Sequence, residues 1–328
     1  MIKALIYTTK KTAKLATLMI AMCLLSFLLV SHSPIDPVQS YVGADSISVS
    51  AEQRDNIAAY WGLDQPKHVQ FLNWAISVIH GELGTSLVYR SPVADVISDR
   101  FFMSFCLMMI AWVSSGLLGF FLGILAGIYK GKWIDKAVKA YCFVLASTPA
   151  FWLGLILLML FSVWLGWLPV GLGAPAGKLA EEVTIAERLQ HILLPALTLS
   201  ILGISNVAMH TRQKLIEVLN SDFIRFAIAN GATPFTLLWR HGLRNVMLPF
   251  VSLHFASFGE LFGGTLIVEQ IFSYPGLGQA VIRAGLGGDV PLLLGIVMFS
   301  GLFVFAGNLL ADLVYTWIDP RMRKAELR

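Results

Sequence analysis

The chain has 328 residues, of which 56% are hydrophobic and only 13% charged, with a net charge of +4 at pH 7. Soluble domains carry about a quarter charged residues, so this composition, with a mean hydropathy of +0.72, excludes a soluble globular protein and indicates an all-α integral membrane protein. The three cysteines (Cys23, Cys106, Cys142) fall in apolar stretches without metal-site spacing, which suits packing rather than disulfides or ligands.

Lys3, Lys10, Lys11 and Lys14 precede an apolar run from Leu15 to Ser31. The run reaches spanning length and no A-x-A cleavage site closes it, so residues 1–31 are expected to be a tail plus an uncleaved first span. From His32 the character changes. Ser33-Pro34-Ile35-Asp36-Pro37 breaks the helix, Gln53–Leu63 has helical spacing, and Lys67–His80 reads as an amphipathic helix with Val69, Leu72, Ile76 and Ile79 on one side. Gly81–Ser86 is a turn-rich link. Residues 32–101 are therefore expected to be an external segment of short amphipathic helices on or near the membrane. Apolar spans follow at Phe102–Ile128, Val138–Leu165, Ile192–Met209, Val246–Ile267 and Leu292–Ile318. Each is long enough to cross about 30 Å of hydrocarbon. They make a core over 102–318 and, with the first span, six transmembrane helices, so both ends share one side.

Charge distribution gives the orientation. Residues 1–14, 129–139, 210–245 and 318–328 hold 17 of the 24 Lys and Arg and only 5 of the 20 acids. By the positive-inside rule these segments are cytoplasmic. The expected topology is N-in and C-in, with a cytoplasmic loop over 210–245 and a cytoplasmic tail over 319–328.

The stretch Asp222–Pro249 is a polar island carrying Arg225, Arg240, His241 and Arg244 between two spans. Within it, Gly231-Ala232-Thr233-Pro234 reads as a helix stop followed by a helix start. Glycine suits the left-handed C′ position, Thr233 can cap, and Pro234 suits the first helical turn. Phe235–His241 is then expected to be a short helix with an apolar face, a place where another protein can grip.

Catalytic machinery is not visible. Gly127–Trp133 only faintly resembles a phosphate loop, with one residue too few between the glycines and Trp133 where Ser or Thr is needed, and HExxH, CxxC and GxSxG do not occur. No directly bound cofactor and no nucleic-acid partner is expected, no metal ligand is assigned, and any energy source must be a partner or an ion gradient.

Asp222-Phe-Ile-Arg225-Phe-Ala227-Ile-Ala229-Asn-Gly231, followed after nine residues by His241-Gly-Leu243-Arg244-Asn245 and Leu248-Pro249, closely resembles the cytoplasmic "EAA" loop of type I ABC importer permeases, in the variant of the dipeptide/oligopeptide/nickel group. Further matches run in order along nearly the whole chain: Ser33–Pro37, Gly62–Pro66, Gly81–Ser86, Pro149–Gly154, Leu194–Ala196, Pro275–Gly278 and Asp319–Arg321. Arg225 stands where the family-wide Glu is usual, and Arg244 where a Pro is usual ahead of Pro249; both resemble the peptide/nickel pattern. The resemblance implies a type I importer permease fold in the bacterial inner membrane, multi-pass and non-catalytic. It implies a homologous second permease subunit, two ABC ATPase subunits that hold ATP and Mg, an extracytoplasmic substrate-binding protein, and surrounding membrane lipid. The ATPase-coupling residues it implies are Asp222, Arg225, Ala227, Ala229, Gly231, Pro234, Phe235, Trp239, Arg240, His241 and Arg244.

Ionisable groups inside spans are costly and usually face an interior or a cavity. His254, Glu260 and Glu269, on or at the ends of the fifth span, are candidates for the translocation path, and Glu260 shares a helical face with Gly263 and Gly264. Gly259–Thr265 is similar to the corresponding segment of nickel-importer permeases. A carboxylate with an imidazole suits a divalent cation or its chelate, or the ammonium end of a peptide. The expected cargo is nickel or a metal chelate, with di- or oligopeptides close behind. The competing readings are an ion-coupled secondary transporter, a strictly peptide-specific permease of the same family, and a membrane scaffold without transport.

Overall fold

The structure is a computed structural model that describes residues 2–42, 49–179 and 181–318. The expected tail over 319–328, with its Asp319-Pro320-Arg321 motif, lies outside them. Among the described residues the chain is helical and contains no named strand. Fourteen α-helices occur in order: α1 (Ile2–Ser31), α2 (Pro37–Val42), α3 (Ala51–Tyr60), α4 (Lys67–Ile79), α5 (Val93–Ile128), α6 (Trp133–Ala146), α7 (Ala150–Leu158), α8 (Ile185–Leu219), α9 (Asp222–Ala229), α10 (Pro234–Thr236), α11 (Arg244–Ala256), α12 (Phe258–Ile271), α13 (Leu277–Leu286) and α14 (Val290–Ile318). Met159–Trp164 and Leu237–Leu243 are wound as wider π-helical turns.

Four helices, α1, α5, α8 and α14, are each long and apolar enough to cross a membrane; two bent pairs bring the number to six if each pair is one span. The expected continuous span over Val138–Leu165 is instead broken, with α6 and α7 meeting at 104°. Pro149 explains the position of the break, because it drives the residue before it out of the helical region. The expected span over Val246–Ile267 is bent by 49° between α11 and α12, without a proline or glycine at Ser257. Here the bend is held from outside: the freed carbonyl of His254 accepts hydrogen bonds from Trp112 Nε1–H of α5 at 3.1 Å and from Ser257 Oγ–H at 2.9 Å.

Local sequence sets the remaining boundaries. Ser50 with Gln53, and Thr184 with Glu187, form reciprocal capping boxes that start α3 and α8. α4 has two apolar sides. Phe71 and Trp74 pack on Cys23 and Phe27 of α1 and Leu294 of α14, whereas Leu72, Ile76 and Ile79 point outward.

The chain divides into two compact units, Met1–Ser104 with Pro275–Phe303, and Phe105–Tyr274 with Val304–Arg328. The first is centred on the α1–α4–α14 cluster and on Asp289, fully buried, which accepts from Ser86 Oγ at 2.6 Å and from the Val88 and Leu292 N–H groups at 3.0 and 3.2 Å. The second is built on a close seam between α5 and α8. A side chain at Gly119, Gly123 or Gly127 would run into Val207, Thr211 or Leu215, at 2.7, 2.6 and 2.7 Å from the added carbon. Small residues let apolar helices approach closely where lipid supplies no competing drive.

Candidate functional site

Two features of the second unit carry chemistry, an exposed segment at 222–244 and a cavity above it in the chain, lined from α5, α8, α11 and α12.

In the segment, α9 ends in a Schellman motif. Gly231 takes φ +80°, its N–H reaches Ile228 O at 2.9 Å, and Ala232 N–H reaches Ala227 O at 3.1 Å. Thr233 then caps the next helix by accepting from Thr236 N–H at 3.3 Å, and Pro234 is its first residue. The helix that follows is not a separate short one. α10 passes through the π-helical turn into α11 without a break, so the expected short helix Phe235–His241 is part of the leading end of one rod over Pro234–Ala256. Gly242, inside it, packs beside Leu215 of α8. Ile224, Leu237 and Gly242 are buried; they anchor α9 and the rod to the bundle, and the sequence reading had not singled them out.

The outward side is unlike that of an ordinary loop. Phe226 is 72% exposed, Phe235 71% and Trp239 59%, and the Phe235 and Trp239 rings lie 5.8 Å apart. Contiguous exposed aromatics on a folded surface mark an interaction site. Around them stand exposed Asp222, Arg225, Ala229, Arg240 and Arg244, with Ala227 and His241 half-buried. Arg225 pairs with Asp222 at 3.3 Å, an exposed contact worth little to stability, so these charges remain available to a partner.

The base of α8 is tied down nearby. Asp135, ahead of the apolar run that begins at Val138, is 1% exposed and receives Arg212 Nε and Nη2 at 2.5 and 2.9 Å and the Gly131 N–H at 2.8 Å. The Arg212 hydrogen bonds hold its carboxyl down to about 2, against the opposing effect of burial.

The cavity has a volume of about 270 Å³. Glu260 and His254 both line it, together with Asn206, His210 and Thr211 of α8 and Ser115 of α5. Gly203, Asn206 and His210 recur at helical spacing along α8, and none of them is among the path residues expected from the sequence. His254 is sandwiched between Trp112 and Phe250, with centroid distances of 4.4 and 5.5 Å and interplanar angles of 14° in both cases. A side chain at Gly116 would collide with its Nε2, so glycine there is what admits the ring. Glu269, expected with Glu260 and His254, does not join them. It is fully buried on α12 and is not among the residues that line the cavity. Among the described residues no three His, Cys, Asp or Glu side chains are grouped so as to hold a metal ion.

Comparison with known proteins gives a consistent result. Residues 119–324 match the family described as binding-protein-dependent transport system inner membrane component. The oligopeptide transport system permease protein AppB of Bacillus subtilis is 32% identical over 317 residues, covering 96% of this chain and 98% of the relative. The glutathione transport system permease protein GsiC of Salmonella typhimurium is 35% identical over 319 residues, covering 97% and 98%. Among solved structures, a crystal structure of an amino acid ABC transporter with histidines aligns with a TM-score of 0.51 at 16% identity, over 68% of this chain and 94% of that one.

Proposed function

The chain belongs to the binding-protein-dependent transport system inner membrane component family, as a multi-pass permease of the bacterial inner membrane, and on that premise we propose that it forms one half of the translocation path of an ATP-driven peptide importer. Two ABC ATPase subunits supply the energy, a second homologous permease completes the path, and an extracytoplasmic binding protein delivers the cargo. The charge distribution supports an N-in, C-in orientation, with 32–101 outside and 222–244 and 319–328 in the cytoplasm.

The observation that carries this reading is the continuity of the rod over Pro234–Ala256. Its leading end presents Phe235 and Trp239 to solvent, and its far end carries His254 into the cavity wall. A force applied by an ATPase at one end is thereby delivered to the cavity at the other, without a flexible joint to absorb it. Capping at Gly231 and Thr233 fixes the angle at which α9 and the rod are presented together.

Peptides are favoured as cargo over nickel because the relatives are permeases of oligopeptide and glutathione systems; Glu260 with His254 in a cavity of this volume suits a small zwitterion as well as a cation. The test is co-purification of the ATPase subunits with the chain from membranes. Phe235→Ala combined with Trp239→Ala is expected to release the ATPases while leaving the permease pair intact. Retention of the ATPases by the double variant would place the grip elsewhere.

A further inference from the structure

Helix α4 has three sides. Phe71 and Trp74 face the bundle: the Phe71 ring lies 5.1 Å from that of Phe27 on α1, and Trp74 packs in the same cluster, with Cys23, Leu294 and Met298. Gln70 and Asn73 form a polar side, closed against the preceding turn. Gln70 Nε2–H donates to the Leu63 and Gln65 carbonyls at 3.1 and 2.8 Å, and Asn73 Nδ2–H donates to Gln65 Oε1 at 3.0 Å. Leu72, Ile76 and Ile79 form the third side, at i, i+4 and i+7, and are 55%, 54% and 82% exposed. The depth of α4 decides what covers that side. Phe27 and Cys23 lie four and eight residues inside the Ser31 end of the Ala13–Ser31 span, which is about 6 and 12 Å along a helix. Leu294 and Met298 lie equally far inside the Val290 end of α14. Two spans thus place α4 inside the apolar edge of the membrane, where water does not cover an aliphatic face.

We infer that α4 is an in-plane helix sunk into one leaflet of the bilayer, with Leu72, Ile76 and Ile79 as its contact with the lipid acyl chains. In-plane helices bury an apolar face about 5–10 Å into the headgroup and acyl boundary, which agrees with the depth that α1 and α14 each give. The charges are placed accordingly. No Asp, Glu, Lys or Arg stands between Lys67, the first residue of α4, and Glu82 beyond its end. The composition of the third side favours lipid over a protein partner. Interface cores are enriched in aromatic residues, Met and Arg, whereas here the aromatic rings turn inward and the outward side is Leu and Ile alone. The neighbouring surface is of the same kind, because α1 exposes Leu24, Leu25, Leu28 and Leu29 over the same stretch of its span. Lipid therefore grips the first unit through a helix that does not cross the membrane. The inference needs only that α1 and α14 cross the membrane; the N-in orientation adds that the leaflet is the outer one.

The test is photo-crosslinking of the full-length chain in bacterial membranes, with p-benzoyl-phenylalanine replacing Leu72, Ile76 or Ile79 one at a time. Leu25, exposed on the α1 span, serves as the lipid-facing reference, and Asp64, exposed in the turn before α4, as the reference outside the hydrocarbon. After irradiation, intact-mass measurement of the purified chain is expected to show the added mass of one phospholipid at Leu72, Ile76 and Ile79, as at Leu25, and its loss at Asp64. Three positions are used so that one labelled chain failing to fold leaves two that report. Phospholipid adducts at two or more of them support the immersed helix. Adducts at Leu25 but at no more than one of the three, or products in which the three positions are joined mainly to another polypeptide, such as a second permease or a binding protein, would overturn it. Neither result bears on ATPase binding or uptake, so the coupling proposed for the 222–244 segment stands or falls separately.

Discussion

Gly231 is the residue on which the exposed segment turns, because its φ of +80° lies in the left-handed region and nothing stands within 4 Å of where a side chain would be. A substitution there is opposed by backbone conformation alone. Gly231→Ala is therefore expected to cost about 1 kcal/mol, seen as a small drop in melting temperature, with the sharper effect on ATPase co-purification because the angle between α9 and the rod changes. Asp135 is the opposite case, a residue with dense packing and full pairing. Asp135→Ala leaves the partly buried Arg212 without a counter-charge and is expected to cost about 3 kcal/mol. The carboxyl is held at about 2, below the ordinary 3.8, so its contribution is complete above the ordinary value and disappears only as pH falls through the lowered one. The melting-temperature difference between wild type and Asp135→Ala should accordingly be constant from about pH 5 to about pH 8; a difference that shrinks across that range would contradict the assigned pairing. Neither Asp135 nor Arg212 was legible as a pair, since 77 positions separate them and nothing local in either stretch points to the other. Gly231, Thr233 and Pro234 were legible, because cap chemistry is written in adjacent residues.

Among the elements, continuity and breakage were read unevenly. The break at Ser147–Pro149 has a local cause in Pro149, yet hydropathy over Val138–Leu165 runs smoothly through it and conceals a 104° turn. The bend at Ser257 has no proline at its apex, and its support is shared between the Ser257 hydroxyl and the Trp112 indole on a different helix. Conversely, Pro249 lies inside α11 without ending it, so the proline that the sequence shows marks no break and the break that exists shows no proline. Trp112→Phe preserves the stacking partner for His254 and removes the indole donor. It is expected to destabilise the chain by about 1 kcal/mol and to loosen the α11–α12 bend, detectable as faster amide exchange over residues 253–258 with the rest of α11 unchanged. The candidate path was legible in part for the same reason. Charged or imidazole side chains in apolar runs announce themselves, as Glu260 and His254 did, but whether such a group faces a cavity or is enclosed, as Glu269 is, depends on which helices pack around it.

On the scale of the whole molecule, composition and charge placement were enough for an all-helical membrane protein with four to six candidate spans, and the ordered motifs were enough for the importer permease family. The division into two compact units was not anticipated. One gathers residues 1–104 with 275–303, and a return over such a separation leaves no local signature. The central functional claim is that ATP hydrolysed by partner subunits drives cargo through this chain by way of the 222–244 segment. It is tested most directly by uptake of tri-alanine into proteoliposomes holding the complete complex and its binding protein, with and without ATP and with ion gradients collapsed. Coupling through the segment predicts ATP-dependent accumulation that persists without an ion gradient and is lost in the Phe235→Ala/Trp239→Ala variant. Accumulation that follows an ion gradient without ATP, or that survives the double variant undiminished, would contradict it.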